Sequence, residues 1–477
     1  MSKLNPAKKP TPLPALAGGT GARAARQDAE ALLRRAVMAC LLWEDMAYES
    51  GTSNGENIAS LIPKVKPEVV AQIAVEARAA QKLRHVPLFI AVEMLKYPKH
   101  KEYVKDILPK IITRADMLTD FLALYKKSNG SVKKLAKAAQ KGLAQAFLRF
   151  DEYALAKYNR DAEIKLRDVM FLTHPKPKDE AQAELFKRVA TDTLKTPDTW
   201  EVALSTTPKV EHASVWRRLI SENKLGALAY LRNLRNMQGV GLSKGEIEAG
   251  MENISSSMLL PLNFLAAAKE APDLKRGLNK LILRSYANLP KIKGNSIFVV
   301  DVSGSMRANI SGKSNFSRVE VAAAMAMLAF FQCEEVEIYV TAGSDSARGH
   351  KTELLKNVIS GYTPGFELCD AIVNSMPKMG GGGIFTAQAL NHIKKVTSFK
   401  SDVDRIIVFS DSQDCDYNNT PLNPFGKANY IVDVSAHKHG VNYAGKWTAE
   451  ISGWSDHFLT YIAALEGVSN QFVEEAV

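Results

Sequence analysis

The segment SIFVVDVS, residues 296–303, decides the fold class, because it is an apolar run ending in polar residues, as a strand buried in a parallel sheet is. Three later segments repeat this pattern: EVEIYVTA (335–342), DRIIVFSD (404–411) and ANYIVDVS (428–435). Helical patterns, notably from Arg318 to Phe331 and from Phe385 to Val396, separate the strands. Buried strands that alternate with amphipathic helices predict a doubly wound α/β domain over residues 291–477.

The sequence before this domain follows a different pattern. From about Asp28 to Leu289, apolar residues recur at three- and four-residue spacing, with short interruptions by Gly, Pro and Asn. This succession of helix pairs predicts a helical-repeat, HEAT-like solenoid over residues 28–290. Residues 1–27 are basic and rich in Pro, Gly and Ala, so we expect a flexible basic tail there.

The two parts of the chain carry opposite charge. From Asn295 to the end there are 14 Lys and Arg residues against 20 Asp and Glu residues. Residues 1–294 hold the other 48 basic and 31 acidic side chains, so the positive charge of the chain lies before the α/β domain, in the tail and the helical part. A surplus of this kind indicates that the helical part faces a polyanion such as a nucleic acid.

Cysteine usage and targeting signals indicate the compartment. The four cysteines, Cys40, Cys333, Cys369 and Cys415, form no CxxC pair and no Cys/His zinc pattern, which is typical of reduced thiols. The amino terminus lacks the apolar segment of a secretory signal, and no stretch reaches the ~18 apolar residues of a membrane span. We therefore expect a cytoplasmic protein without a membrane partner.

Polar residues follow two of the predicted strands. Asp301, Ser303 and Ser305 end the first strand, and Asp411 ends a later one. Because the carboxyl ends of parallel strands meet at one edge of a sheet, these side chains should converge, and such an oxygen set suits Mg²⁺. The order DxSxS followed by SD resembles the metal-ion-dependent adhesion site of von Willebrand A domains. The alternative is an Asp/Ser cap on the following helix.

This resemblance also implies a Thr ligand from a glycine-rich loop. Here the loop reads GGGGIFT (380–386), and direct register puts Ile384 where the ligand hydroxyl belongs. Either the loop shifts and Thr386 coordinates the metal, or the site is incomplete. We therefore expect Mg²⁺, or another divalent cation, to bind weakly or not at all.

A basic stripe marks the predicted helix from Ser131 to Phe150. Its apolar residues form one face, while Lys134, Lys137 and Lys141 fall on another at spacings of three and four. The stripe is either a contact surface for RNA phosphates or an ordinary solvated helix face.

The following segment combines cations, aromatic residues and a histidine. Lys157 and Arg160 come first, and the motif FLTHPKPK (171–178) then presents His174 and Lys176 between prolines that hold the chain extended. Such side chains suit contacts with phosphates and unpaired bases. The alternative is a loop that merely connects two helices.

Together these features resemble the Ro proteins, in which a TROVE domain precedes a von Willebrand A-like domain. The resemblance rests on the LxHxKP pattern after a KY-containing helix, on LRNLRNM (231–237) and on the domain that follows, and it spans about Asp28 to the C-terminus. It implies a ring of helical repeats that binds small noncoding Y RNAs on its outer surface and single-stranded 3′ ends of misfolded RNA in its hole. A bacterial or phage member would act in RNA quality control, with an exoribonuclease such as polynucleotide phosphorylase as a partner.

The resemblance also implies individual RNA ligands. Lys157 and His174 match family positions that contact Y RNA. A further basic family position falls on Asp161 here, beside Arg160, so we expect a different local footprint. Arg232 and Arg235 are either RNA ligands or residues at the edge of the helical core.

Catalytic motifs are missing from the sequence. HExxH and GxxxxGK[ST] do not occur, no GxSxG elbow joins a predicted strand to a helix, and no His or Glu stands where it would act as a general base beside Asp301 and Asp411. We therefore expect a monomeric, non-catalytic RNA-binding protein. The alternative is an adaptor whose helical scaffold and metal site hold protein partners.

Overall fold

The structure is a computed structural model, and it describes most of the chain. The described residues are 29–38, 51–79, 83–159, 161–254, 259–287, 289, 291–310, 314–344, 349–416, 424–434, 447–452 and 458–466. The predicted tail, Cys40 and Arg160 lie outside them. No described helix combines the length and apolar content that a transmembrane span requires.

The first ten described helices share one hydrophobic core, which extends from Leu33 to Val189. They are α1 (Ala29–Met38), α2 (Gly51–Leu61), α3 (Pro67–Ala79), α4 (Val86–Met94), α5 (Lys101–Ile111), α6 (Asp116–Asn129), α7 (Lys137–Phe147), α8 (Glu152–Tyr158), α9 (Leu166–Thr173) and α10 (Glu180–Thr191). Successive layers pack α3 on α5, α5 on α7 and α7 on α9. Gly142 permits the close approach of α7 to α5, because an added Cβ would lie 2.9 Å from the Leu108 Cβ. This stacking confirms the predicted helical repeat.

Seven further helices belong to a second core, which they share with the α/β part of the chain. They are α11 (Trp200–Thr206), α12 (His212–Ser221), α13 (Ala227–Arg232), α14 (Leu234–Gly239), α15 (Lys244–Glu252), α16 (Pro261–Glu270) and α17 (Lys275–Tyr286). Their core continues into the α/β part, where the rings of Tyr286 and Phe331 lie 5.6 Å apart. The backbone N–H of Phe366 also donates to the Asn279 side chain at 2.9 Å. The hydrophobic cores therefore divide between Val189 and Ala203, and the domain boundary at residue 290 remains a prediction.

The α/β part is built on one sheet of six described strands. They are β1 (Ile292–Asp301), β2 (Cys333–Ser344), β3 (Gly349–Leu354), β4 (Arg405–Ser410), β5 (Ala428–Asp433) and β6 (Ala449–Ser452). Their order is β3-β2-β1-β4-β5-β6, and all pairs are parallel except β2 with β3. The four strands expected from the sequence are present, and β3 and β6 are additions at the two edges.

Both faces of the sheet are covered by helices. The helices are α18 (Arg318–Gln332), α19 (Leu355–Val358), α20 (Phe366–Met379), α21 (Thr386–Val396) and α22 (Phe458–Leu465). In β1, Phe298 and Val300 join the core that contains α18, α20 and α22, whereas Ile297 and Val299 join the core that contains α21. Alternation of this kind confirms the doubly wound α/β prediction.

The amino-terminal helix and the carboxyl-terminal part of the sheet are in contact. Helix α1 packs against β6, the last strand of the sheet. The helical repeats and the α/β part thus form a closed circuit in the structure, with one junction between α10 and α11 and a second between α1 and β6.

Candidate RNA interface and strand-edge site

The predicted metal site lies where the direction of strand addition reverses, between β1 and β4. The register of these strands brings Asp301 and Ser410 side by side at the carboxyl edge. The Ser410 hydroxyl donates to Asp301 Oδ2 at 2.7 Å, and the Ser303 backbone N–H donates to Asp301 Oδ1 at 2.8 Å. Burial raises the pKa of Asp301 to about 7, with a further contribution from the nearby Asp411 carboxylate.

The glycine-rich loop closes directly over the turn that follows β1. The Gly304 N–H donates to the Gly382 carbonyl at 2.9 Å. A Cβ at position 304 would lie 2.5 Å from the Gly381 carbonyl oxygen, so only glycine fits there. Beneath this contact, the Ser303 and Ser305 hydroxyls hydrogen-bond each other at 3.2 Å.

Arg318, which was not predicted as a site residue, reaches into the same edge. Its Nη1 donates to Asp411 Oδ2 at 2.5 Å and lies 3.5 Å from the Ser305 carbonyl oxygen. The side chain of Arg318 is 6% exposed and that of Asp411 is fully buried. Ser317 and Glu320 form a capping box, which starts α18 at Arg318 and fixes the arginine beside the strand ends.

Thr386 occupies the first position of α21, on the loop that adjoins the edge. The residue before it is Phe385, which cannot cap a helix, so neighbouring carboxylates accept the first N–H groups. Asp414 accepts from the Thr386 N–H at 3.3 Å, and Asp416 accepts from the next N–H. Ile384 is buried, and its carbonyl accepts from the Cys415 N–H at 2.7 Å.

The residues at this edge fit a divalent cation poorly. The structure brings Asp301, Ser303, Ser305 and Asp411 together as predicted, but both Asp301 oxygens and Asp411 Oδ2 already accept hydrogen bonds from protein groups. The guanidinium of Arg318 adds a positive charge that would repel a metal ion. Among the described residues, moreover, no group of three or more His, Cys, Asp or Glu side chains is arranged to hold a metal. Binding of Mg²⁺ therefore remains a prediction, and the geometry counts against it.

The lysines of the predicted stripe stand on the exposed side of α7 and the segment before it. Lys134, Lys137 and Lys141 are all exposed. The Tyr125 hydroxyl donates to the Lys134 carbonyl at 2.9 Å and holds this segment against α6. In the described part of the chain, none of the three lysines forms an ion pair, so their charges are available to a ligand.

His174 lies on the helix that packs beside α7. It ends α9 in the left-handed conformation, with φ 48° and ψ 57°, and its backbone N–H donates to the Met170 carbonyl at 2.9 Å. Gln140 of α7 donates to the Leu172 carbonyl at 3.0 Å and joins the two helices. We use the term basic face for a set of exposed residues on these adjoining elements: Lys134, Lys137, Lys141, His174 and Lys176.

Lys157 lies at the end of α8 in an aromatic setting. Its ammonium nitrogen is 5.7 Å from the centre of the Tyr158 ring and 5.9 Å from that of Tyr153. The guanidinium of Arg114 lies 4.9 Å from the Tyr158 ring. The cation–π contacts hold Lys157 without neutralising it, whereas Arg114 also forms an ion pair with Asp116 at 2.7 Å.

The remaining candidates are placed apart from the basic face or are paired. Asp161, at the family's basic position, forms an ion pair with Lys165 at 2.6 Å. Arg232 and Arg235 are exposed and belong to helices of the second core. Arg235 pairs with Glu270 at 2.8 Å, so its charge is partly compensated.

Comparisons with known proteins agree with this architecture. The family model of the TROVE domain matches residues 191–339, a range that starts where the first core ends and continues into β2. No curated protein sequence matches the chain. The crystal structure of the Deinococcus radiodurans Ro (RSR) protein has the same fold, with 16% sequence identity, a TM-score of 0.59, and coverage of 94% of this chain and 100% of that one. These findings show that residues 191–339 are similar to the TROVE domain and that the chain has the fold of the Deinococcus radiodurans Ro protein.

Proposed function

We propose that the chain is a non-catalytic RNA-binding protein and that the basic face is its main contact surface. The observation that carries this proposal is the exposure of Lys134, Lys137 and Lys141 without an acidic partner in the described structure. Lysines that are already neutralised gain little from a phosphate, whereas these would release counterions from RNA on contact. His174 belongs to this face, and Lys157 lies on α8 of the same core as a further candidate contact.

The finer function follows the resemblance to Ro proteins. We propose that small, structured, Y-like RNA binds the outer basic face, and that single-stranded ends of misfolded RNA enter a central hole. The closed circuit through α1 and β6 supports a hole of this kind. In this proposal the chain is a cytoplasmic monomer that acts in RNA quality control and hands RNA to an exoribonuclease such as polynucleotide phosphorylase.

A double substitution tests the outer surface. Lys157→Ser with His174→Ser should weaken binding of a structured RNA in a gel mobility shift, because one phosphate contact and one base contact are lost. The matched control is Lys395→Ser with His392→Ser, which removes the same residue types from α21 of the acidic domain. Equal affinity of both variants for RNA would count against the assignment of Lys157 and His174.

Competition between two RNAs tests the second site. A single-stranded tail should displace little of a structured RNA already bound to the basic face, because the two ligands would occupy different surfaces. Full mutual displacement at stoichiometric protein would show that there is one shared site.

The adaptor alternative rests on the strand edge as a docking site for protein partners. Salt dependence separates the two functions, because phosphate contacts weaken steeply as the logarithm of salt concentration rises and apolar protein contacts hardly change. Absence of RNA binding even at low salt would favour the adaptor. The RNA that copurifies with the protein, once sequenced, would identify the natural ligand.

A further inference from the structure

The strand edge contains a positive charge of its own. Arg318 donates to Asp411 at 2.5 Å, and both side chains are almost completely inside the protein. A buried guanidinium is costly unless a carboxylate accepts its hydrogen bonds, and Asp411 meets that need with short, charge-assisted geometry.

The position of Arg318 in its helix strengthens this interpretation. The first turn of a helix carries a partial positive charge, so a cation there is unfavourable unless it has a strong partner. Arg318 is the first residue of α18, and Glu320 in the same turn is engaged by Ser317 and Lys269. The carboxylate of Asp411 is therefore what retains Arg318 in this place.

We propose that the Arg318 guanidinium is the resident cation of this edge and takes the electrostatic place of the divalent ion in a metal-ion-dependent adhesion site. Ile384 is consistent with this, because an apolar side chain, 1% exposed, occupies the loop position that direct sequence register assigns to the ligand hydroxyl. A divalent ion beside Arg318 would meet like charge and would have to displace the hydrogen bonds that Ser303 and Ser410 donate to Asp301. The edge therefore does not capture acidic groups through a metal.

Metal titration of the full chain tests the proposal. Wild type should show no saturable binding of Mn²⁺ or Mg²⁺ by calorimetry, and its Tm should be the same in EDTA and in millimolar Mn²⁺. Arg318→Ala leaves Asp411 beside Asp301 without a cation, so its Tm should fall, and Mn²⁺ should restore part of the loss. Arg318→Ala with Asp411→Asn removes both charges, and this variant should be insensitive to metal.

The wild-type measurement decides the outcome even if the single variant does not fold. Saturable Mn²⁺ binding to wild type, with a rise in Tm, would overturn the proposal. An Arg318→Ala variant that keeps the wild-type Tm in EDTA would overturn it as well. The guanidinium would then not be needed to compensate the buried carboxylate of Asp411.

A second, independent observation concerns an exposed aromatic residue beside the basic face. Phe171 of α9 is 54% exposed, although phenylalanine is usually among the buried residue types. Arg167 lies one turn before it on the same helix face, and His174 ends the helix three residues later. A ring beside a guanidinium is suited to stack on a base while the cation contacts a phosphate.

We infer that Phe171 is a stacking site for an unpaired nucleobase, an inference that rests on the proposed RNA binding. The probe is a short single-stranded oligonucleotide with fluorescence anisotropy as the readout. Phe171→Leu should weaken binding about tenfold without changing the salt dependence, because it removes a π face and no charge. Phe171→Trp should retain wild-type affinity, and its fluorescence should be quenched on binding.

The controls distinguish a failure of base stacking from a failure of RNA binding. Val210→Ala, at an exposed apolar residue in the turn that precedes α12, should bind as wild type does. If wild type binds the oligonucleotide and Phe171→Leu binds equally well, stacking is wrong and RNA binding stands. If wild type itself does not bind RNA, the proposed function fails.

Discussion

The basic face and the strand edge use positive charge in opposite ways. Lys137 and Lys141 project from α7 into solvent, and in the described structure neither has a carboxylate partner. Arg318 is enclosed by the sheet edge, 2.5 Å from Asp411. The number of cations is therefore a poor guide to function. Solvent exposure and the distance to the nearest carboxylate determine whether a cation stabilises the fold or remains free for a polyanion.

The largest expected effect is on stability and concerns the buried pair. Arg318→Ala should lower the free energy of unfolding by about 3–5 kcal/mol, because it leaves the Asp411 carboxylate buried without its cation. Urea denaturation of the two proteins measures the difference. Arg318→Met with Asp411→Leu should recover most of the loss, since apolar side chains can replace a buried ion pair. A loss below about 1 kcal/mol in the single variant would mean that this buried pair contributes no more to stability than a surface ion pair does.

The next effect is on RNA affinity and concerns the unpaired lysines. Replacing Lys134, Lys137 and Lys141 by Ala should reduce the slope of log affinity against log salt by about two to three. Gel shifts over a salt series provide the slope, and urea denaturation should show little change in stability. The matched control removes three exposed lysines from the acidic domain: Lys394, Lys395 and Lys400. Equal slopes in the two triple variants would mean that RNA contacts the protein without preference for the basic face.

A smaller gain in affinity is expected at the position where this chain departs from the Ro pattern. Asp161→Ala removes a negative charge and frees Lys165 from its ion pair. We expect RNA to bind a fewfold more tightly at low salt, with a slope steeper by about one for the freed lysine. Lys165→Ala should give no such gain. Unchanged binding of the Asp161→Ala variant would exclude this segment from the interface.

The smallest effect is expected on the second core, where Arg235 is paired with Glu270. Both side chains are exposed, so the pair contributes ~0–1 kcal/mol to stability. Arg235→Ala should therefore change RNA affinity less than Lys141→Ala does, and Glu270→Ala should increase it slightly. Filter binding at low salt is sensitive enough for this comparison. A large loss on Arg235→Ala would move the interface toward α14.

Much of the fold could be predicted because its signals are local and strong. The four parallel strands are buried on both faces, so each appears in the sequence as a short, continuous apolar run. Runs of this length and composition are typical of strands in a parallel sheet. Strands β3 and β6 escaped prediction for the opposite reason: the HKTEL sequence of β3 is polar and only partly buried, and β6 has four residues. Edge strands of this kind depend on pairing with a neighbour, which no local pattern shows.

The residues that meet at the strand edge could be predicted from the sequence. The positive charge that compensates their carboxylates could not. Asp301, Ser303, Ser305 and Asp411 follow strands, so the topology brings them together. Arg318 is separated from each of them in sequence, and its role depends on a tertiary contact. A signal was present nonetheless, because the SRVE capping box places an arginine in the first turn of a helix, where it needs a carboxylate.

The contact between α1 and β6 has a consequence for biosynthesis. These elements lie at opposite ends of the polypeptide, whereas the first core is assembled entirely from residues before 190. Residues before 190 therefore emerge from the ribosome long before the strand that completes the circuit is made. During that interval the nascent protein is an open arc, and under the proposed function an RNA with both ends blocked by structure would enter it without being threaded.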